Sequence, residues 1–170
     1  MRKIIAGWLA GIWLCLLLVR LPVQAANLAE PIQAQAYVLM EQESGTVLAE
    51  EQADVPLPMG MMAKLMTVLL AAEQLESGAW TLETVLTASD VVNTCEGATV
   101  WLTAGETMTV SDLLKAVIIG NANDAAAVLA EGVSGSVPAL VLEMNARAFY
   151  LGMPKTILKN QQGHDAGKKC

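Results

Sequence analysis

Two short stretches carry most of the chemistry open to this chain. In Met61-Met62-Ala63-Lys64, a lysine follows another side chain by three positions. At a helix start that spacing is one turn. With serine in the first position, it sets a hydroxyl beside an amine that can accept its proton, which makes an acyl-accepting nucleophile. Met61 offers a thioether instead, which has no proton to lose, so the spacing suits acyl transfer while the nucleophile is missing. Taken alone, Lys64 reads as an ordinary solvated lysine on a helix. The second stretch is Asn121-Ala122-Asn123-Asp124. Its carboxamides can donate and accept hydrogen bonds, but they cannot relay a proton as a hydroxyl can. His164 is the only histidine, and a lone loop histidine is more often solvated than a ligand. No Cys/His group has metal-ligand spacing, so neither a metal nor a cofactor is expected.

The surrounding sequence must position these residues. Tyr37-Val38-Leu39-Met40 and Thr46-Val47-Leu48 flank Glu43-Ser44-Gly45, the pattern of a β-hairpin with a glycine-containing loop. Pro56 and Pro58 break regular structure ahead of a helix expected from Met61 to Leu75, with Gly78 as its stop. Leu65, Val68, Leu69 and Ala72 recur at helical spacing. The methionines at 59, 61, 62 and 66 could form a soft binding surface. For Met62 and Met66 the sequence favours core filling. Thr81 to Gly105 is β-prone. Thr109 to Ile119 reads as a helix capped by Thr109, with Asp112 three residues on. Asn123 to Glu131 is a further helix ended by Gly132. Ser136 caps a last one, running to Leu151 with Gly152 as its stop.

Several of these stretches resemble one family. Pro58 to Thr67 looks like the active-site helix of D-alanyl-D-alanine carboxypeptidases, the penicillin-binding type of serine peptidase with a Ser-x-x-Lys motif. Ala36 to Glu50 resembles the family's opening hairpin, and Gly97 to Leu114 its Gly-x-x-x-x-Leu-x-x-Gly-Glu segment. Asn121 to Ala126 resembles its second motif, Ser-x-Asn-Asp-Ala. Met144 to Met153 and Asn160 to Asp165 resemble the stretch after it. The resemblance implies an α+β fold of the β-lactamase/transpeptidase type, present here as an N-terminal hairpin and a mainly helical unit without the later sheet strands. It implies Met61 at the nucleophile position, Lys64 at the general-base position, Asn121 at the second-motif serine position and Asn123 as the residue that orients the substrate. The implied partner is a peptidoglycan stem peptide ending in D-Ala-D-Ala. The family's third motif, Lys-Thr-Gly, does not occur in the 170 residues.

Composition agrees with an exported domain. Arg2 and Lys3 precede an apolar run from Ile4 to Val19, and Val23-Gln24-Ala25 fits a small-residue cleavage site. The expected organisation is a signal peptide over 1–25, a linker over 26–35 and the carboxypeptidase-like domain over 36–170. Cleavage after Ala26 and a retained membrane anchor are the rival readings of the first segment. The net charge of −7 grows more negative once Arg2, Lys3 and Arg20 are removed. That disfavours nucleic acid and anionic bilayers as partners. Cys95 and Cys170 remain after cleavage. Because Cys170 ends the sequence and chain ends are commonly mobile, the two are expected to stay unpaired.

The function expected is therefore that of a serine-type D-Ala-D-Ala carboxypeptidase of cell-wall remodelling, exported and inactive in hydrolysis. The alternatives are a non-catalytic cell-wall or peptidoglycan-binding protein and a decayed gene fragment.

Overall fold

The computed structural model describes residues 32–163. The expected signal peptide, its cleavage site and the first part of the linker lie outside the described residues, as do His164 and Cys170. Two compact units divide at Val55 and Pro56.

The first unit holds the expected hairpin. Strand β1 (Tyr37–Met40) pairs antiparallel with β2 (Val47–Glu51), from Tyr37 opposite Glu51 to Met40 opposite Val47, with an irregularity between Leu39 and Met40. Glu41 organises the turn by accepting the amides of Glu43 (2.9 Å) and Ser44 (2.6 Å). Gly45 supplies the left-handed φ of 69°, a conformation open to glycine without a Cβ penalty.

The second unit is built around one helix. A 3-10 turn (Gly60–Ala63) leads into α1 (Lys64–Glu76). Strand β3 (Val85–Thr87) and a 3-10 turn (Asp90–Thr94) follow, then β4 (Thr107–Thr109) and α2 (Val110–Ile118). Helices α3 (Asn123–Ser134) and α4 (Val137–Tyr150) complete the unit. Every residue of α3 from Asn123 to Ala130 is buried. Its Ala125-Ala126-Ala127 run presents little side-chain bulk, so α1, α2 and α4 all pack against it. One core cluster lies between α2 and α3, with Leu113 and Leu129 fully enclosed and Val117 buried beside them. A second joins Met66 and Leu70 of α1 to Leu140 and Met144 of α4. Asn145 ties the tail to α4: its Oδ1 accepts Leu158 N at 2.9 Å and its Nδ2 donates to Leu158 O at 2.7 Å. No single helix among the described residues is long and apolar enough to cross a membrane.

Several sequence expectations need correction. The β-prone region yields only β3, whose partner β4 lies beyond it, at 107–109. The two form a second antiparallel pair with Leu86 opposite Met108. Gly132 does not end its helix, which runs to Ser134 and terminates at Gly135, where φ is 77°. A Cβ on Gly132 would lie 2.7 Å from Leu86 Cδ1 and 3.1 Å from the Trp80 ring. That glycine therefore serves close packing. Met66 is core, as expected, but Met62 is 63% exposed. Met62 instead lines an open apolar cavity of about 280 Å³ with Met59, Leu65, Met66 and Met153. Cys95, expected to be unpaired, is disulfide-bonded.

Candidate functional site

The start of α1 is held by its surroundings rather than by its own cap. Neither the 3-10 turn nor α1 has a side-chain cap. The turn enters through Gly60 at φ 52°. Gly163 packs directly on it, where an added Cβ would fall 1.6 Å from Gly60 O. One turn into α1, the Thr67 hydroxyl donates to Gln161 O at 2.9 Å. The segment 160–163 thus braces the helix start that presents Met61 and Lys64.

Lys64 is not solvated. It is 4% exposed, and Nζ donates to both the backbone O (2.8 Å) and Oδ1 (2.6 Å) of Asn121. Removal from water penalises its charged form and pulls its pKa below 10.5. Asn121 in turn directs its Nδ2 at the Met61 sulfur. Met61, Lys64 and Asn121, 60 residues apart along the chain at their extremes, therefore form one connected group. The lysine donates to the carboxamide oxygen, and the carboxamide nitrogen donates to the thioether.

The loop between α2 and α3 makes this possible. Asn121 adopts φ 54°, a left-handed conformation that asparagine tolerates better than most residues. Before it, Gly120 passes so near α2 that a Cβ would meet Ala116 O at 2.8 Å. After it, Ala122 N donates to Ala116 O at 3.0 Å. These contacts turn the Asn121 carbonyl and side chain together toward the lysine.

Asn123 opens α3 and is buried. Its amide N donates to Ala98 O at 2.7 Å and its Nδ2 to Glu96 O at 2.5 Å. It is joined to the 96–98 segment, whereas the other three expected site residues are joined to one another.

Sequence reasoning gave Asp124 no role, although the residue sits inside the quoted motif. Its buried carboxylate accepts Val100 N (3.1 Å), Leu102 N (3.0 Å) and Ala125 N (2.8 Å). Asn123 and Asp124 thus fasten residues 96–102 to the start of α3. An acidic residue in the first turn of a helix is the one local signal of such a role. Its loop partners, more than 20 residues away, leave no trace in spacing. Among the described residues, no group of three or more His, Cys, Asp or Glu could hold a metal ion.

The profile described as D-alanyl-D-alanine carboxypeptidase matches residues 23–169. The chain is 35% identical over 131 residues to the D-alanyl-D-alanine carboxypeptidase DacF of Bacillus subtilis, covering 77% of this chain and 34% of that protein. Over 144 residues it is 35% identical to DacC of Escherichia coli, with 81% and 36% covered. Among solved structures, DacD of Francisella tularensis superposes with a TM-score of 0.77 at 26% identity, over 82% of this chain and 34% of that one. Penicillin binding protein 5 of Haemophilus influenzae gives 0.75 at 29% identity, over 82% and 42%. The fold is the α+β fold of these proteins, and the chain spans about a third of the length of the two curated relatives. The chain belongs to the D-alanyl-D-alanine carboxypeptidase family.

Proposed function

We propose that this chain is an exported, non-hydrolysing member of the family that acts at the cell wall by recognising peptidoglycan stem peptides ending in D-Ala-D-Ala. In this reading Met61 stands at the nucleophile position, Lys64 at the general-base position and Asn121 at the position of the second-motif serine. Asn123 presents its carboxamide to the substrate amide. Its Nδ2 donates to the Glu96 carbonyl, which fixes the side chain at the start of α3.

The observation that carries the reading is the connected Met61–Asn121–Lys64 group. A serine hydroxyl attacks a carbonyl as its proton moves to a base. A thioether has no such proton: attack would give a positively charged acyl-sulfonium that collapses back to reactants. Lys64 Nζ is directed at the two oxygens of Asn121, so it has no hydroxyl partner in this group from which to take a proton. Removing one member of a catalytic triad abolishes most of its rate enhancement, leaving about 10³–10⁴-fold over water in the serine-protease case.

Two measurements test this. A fluorescent penicillin incubated with the mature chain is expected to leave no label after denaturing electrophoresis, and a diacetyl-L-lysyl-D-Ala-D-Ala peptide is expected to release no D-alanine. NMR titration with the same peptide is expected to shift the amides of residues 121–123. Label that survives denaturation and maps near Lys64 would refute the absence of acyl chemistry. An unperturbed spectrum at millimolar peptide would refute recognition.

A further inference from the structure

Trp101 is the strongest unexplained feature of the second unit. Its side chain is 79% exposed and its backbone adopts φ 58°. A left-handed conformation at a bulky residue is a genuine outlier, and strain of this kind persists only where the surroundings impose it. The surroundings here are specific. Asp124, 1% exposed, accepts the amide immediately before Trp101 and the one immediately after it, from Val100 and Leu102. Leu102 is itself buried. The buried carboxylate pins both sides of the residue, and the indole is left standing in solvent. The same loop is fastened at Glu96 and Ala98 to Asn123, so the segment that carries the indole is tied to a residue of the candidate site.

A buried charge that holds an exposed aromatic in a strained backbone is an arrangement that burial alone does not call for. An indole displayed this way offers a flat, electron-rich face on a backbone already fixed at both sides. The ligand that matches such a face beside a peptidoglycan-recognising site is a pyranose ring. Its axial C–H bonds form an apolar, partially positive face that complements the negative face of the aromatic quadrupole. We propose that Trp101 is a stacking platform for a sugar ring of the glycan to which the stem peptide is attached. The proposal rests on the reading of the chain as a peptidoglycan-binding protein and adds the saccharide as a second recognised moiety.

The test uses the mature chain and three probes: an N-acetylglucosamine tetramer, a stem peptide without sugar, and a disaccharide-bearing muropeptide. The mature chain has two tryptophans, and Trp80 is packed against the core, so fluorescence quenching by iodide reports mainly on Trp101. The tetramer and the muropeptide are expected to protect it from iodide, whereas the sugar-free peptide is not. The muropeptide should bind at least several-fold more tightly than the sugar-free peptide. Trp101→Gly should abolish that difference, and Trp101→Phe should retain part of it. Because glycine accepts φ 58° without strain, Trp101→Gly should also melt at a higher temperature than the parent, so lost sugar binding could not be ascribed to misfolding. If Trp101→Gly raises the melting temperature and sugar-dependent binding is unchanged, the platform is refuted while peptide recognition stands. If the tetramer protects Trp101 and the peptide alone does not bind, the platform stands and the stem-peptide reading falls. If no probe protects Trp101, the platform is refuted.

Discussion

At the scale of single residues, Lys64 shows how burial changes the meaning of a side chain. A lysine at a helix start is ordinarily a solvated charge, and only the three-residue spacing from Met61 and the family resemblance of Pro58 to Thr67 point elsewhere. Its 4% exposure depends on Asn121 arriving from 57 residues downstream. Desolvation lowers its pKa below 10.5, and this has a consequence for stability. Between the lowered folded value and 10.5, the unfolded chain binds the proton more tightly than the folded one, so stability rises with pH across that window. Below it the penalty for the buried ammonium is present in full. Urea midpoints of the parent and of Lys64→Met, measured from pH 7 to pH 10.5, are therefore expected to converge or cross in the parent's favour as pH rises. Parallel curves would mean that the amine is hydrated in the folded state. Asn121 was legible as a polar residue near the site. Its left-handed backbone was not, because that follows from the tight passage of Gly120 past Ala116.

At the scale of elements, what the sequence disclosed was what depends on neighbours a few residues away. Thr109 accepts Asp112 N and Ser136 accepts Ala139 N, as cap signals three residues long imply. The first hairpin was readable because its loop glycine and both apolar runs are contiguous. Strands β3 and β4 are three residues each, too short to show a period, and their pairing spans the whole 88–106 excursion. Gly132 was misread for the same reason: the requirement for it is set by Trp80 and Leu86, not by the helix. This position gives a direct test. Gly132→Ala gains about 0.8–1 kcal/mol of helix propensity. It also forces a methyl to within 2.7 Å of Leu86 Cδ1 and 3.1 Å of the Trp80 ring. Overpacking of a filled core costs typically 1–3 kcal/mol, and the rigid indole leaves only Leu86 free to give way. The net expectation is destabilisation by roughly 1 kcal/mol, read as a lower melting temperature together with a shifted Trp80 emission. A higher melting temperature would show that the helix was indeed limited by its glycine.

At the scale of the whole molecule, the question is what a nucleophile alone would restore. The chain spans about a third of its curated relatives, and Met62, Leu65 and Ile157 stay 63%, 65% and 74% exposed. The site residues described here come from the start of α1, the loop before α3 and the start of α3. By resemblance, a third wall carrying Lys-Thr-Gly faces them in the family, and no such tripeptide occurs in these 170 residues. Holding reactants in line is worth about 7–11 kcal/mol in well-oriented systems, so a serine hydroxyl facing a poorly held peptide gains little from Lys64. Met61→Ser alone is accordingly expected to yield no steady release of D-alanine from diacetyl-L-lysyl-D-Ala-D-Ala. Asn121→Ser alone should also be silent, since it removes the Lys64 acceptor at Oδ1 without supplying a nucleophile. Joining both changes to the C-terminal part of a family member that carries Lys-Thr-Gly should give turnover far above the sum of the single effects, because residues that act as a unit are strongly non-additive. Steady turnover by Met61→Ser in the 170-residue chain would show that the two helix starts suffice to orient substrate. A folded chimera that stayed silent would instead remove Lys64 and Asn123 from the roles proposed for them.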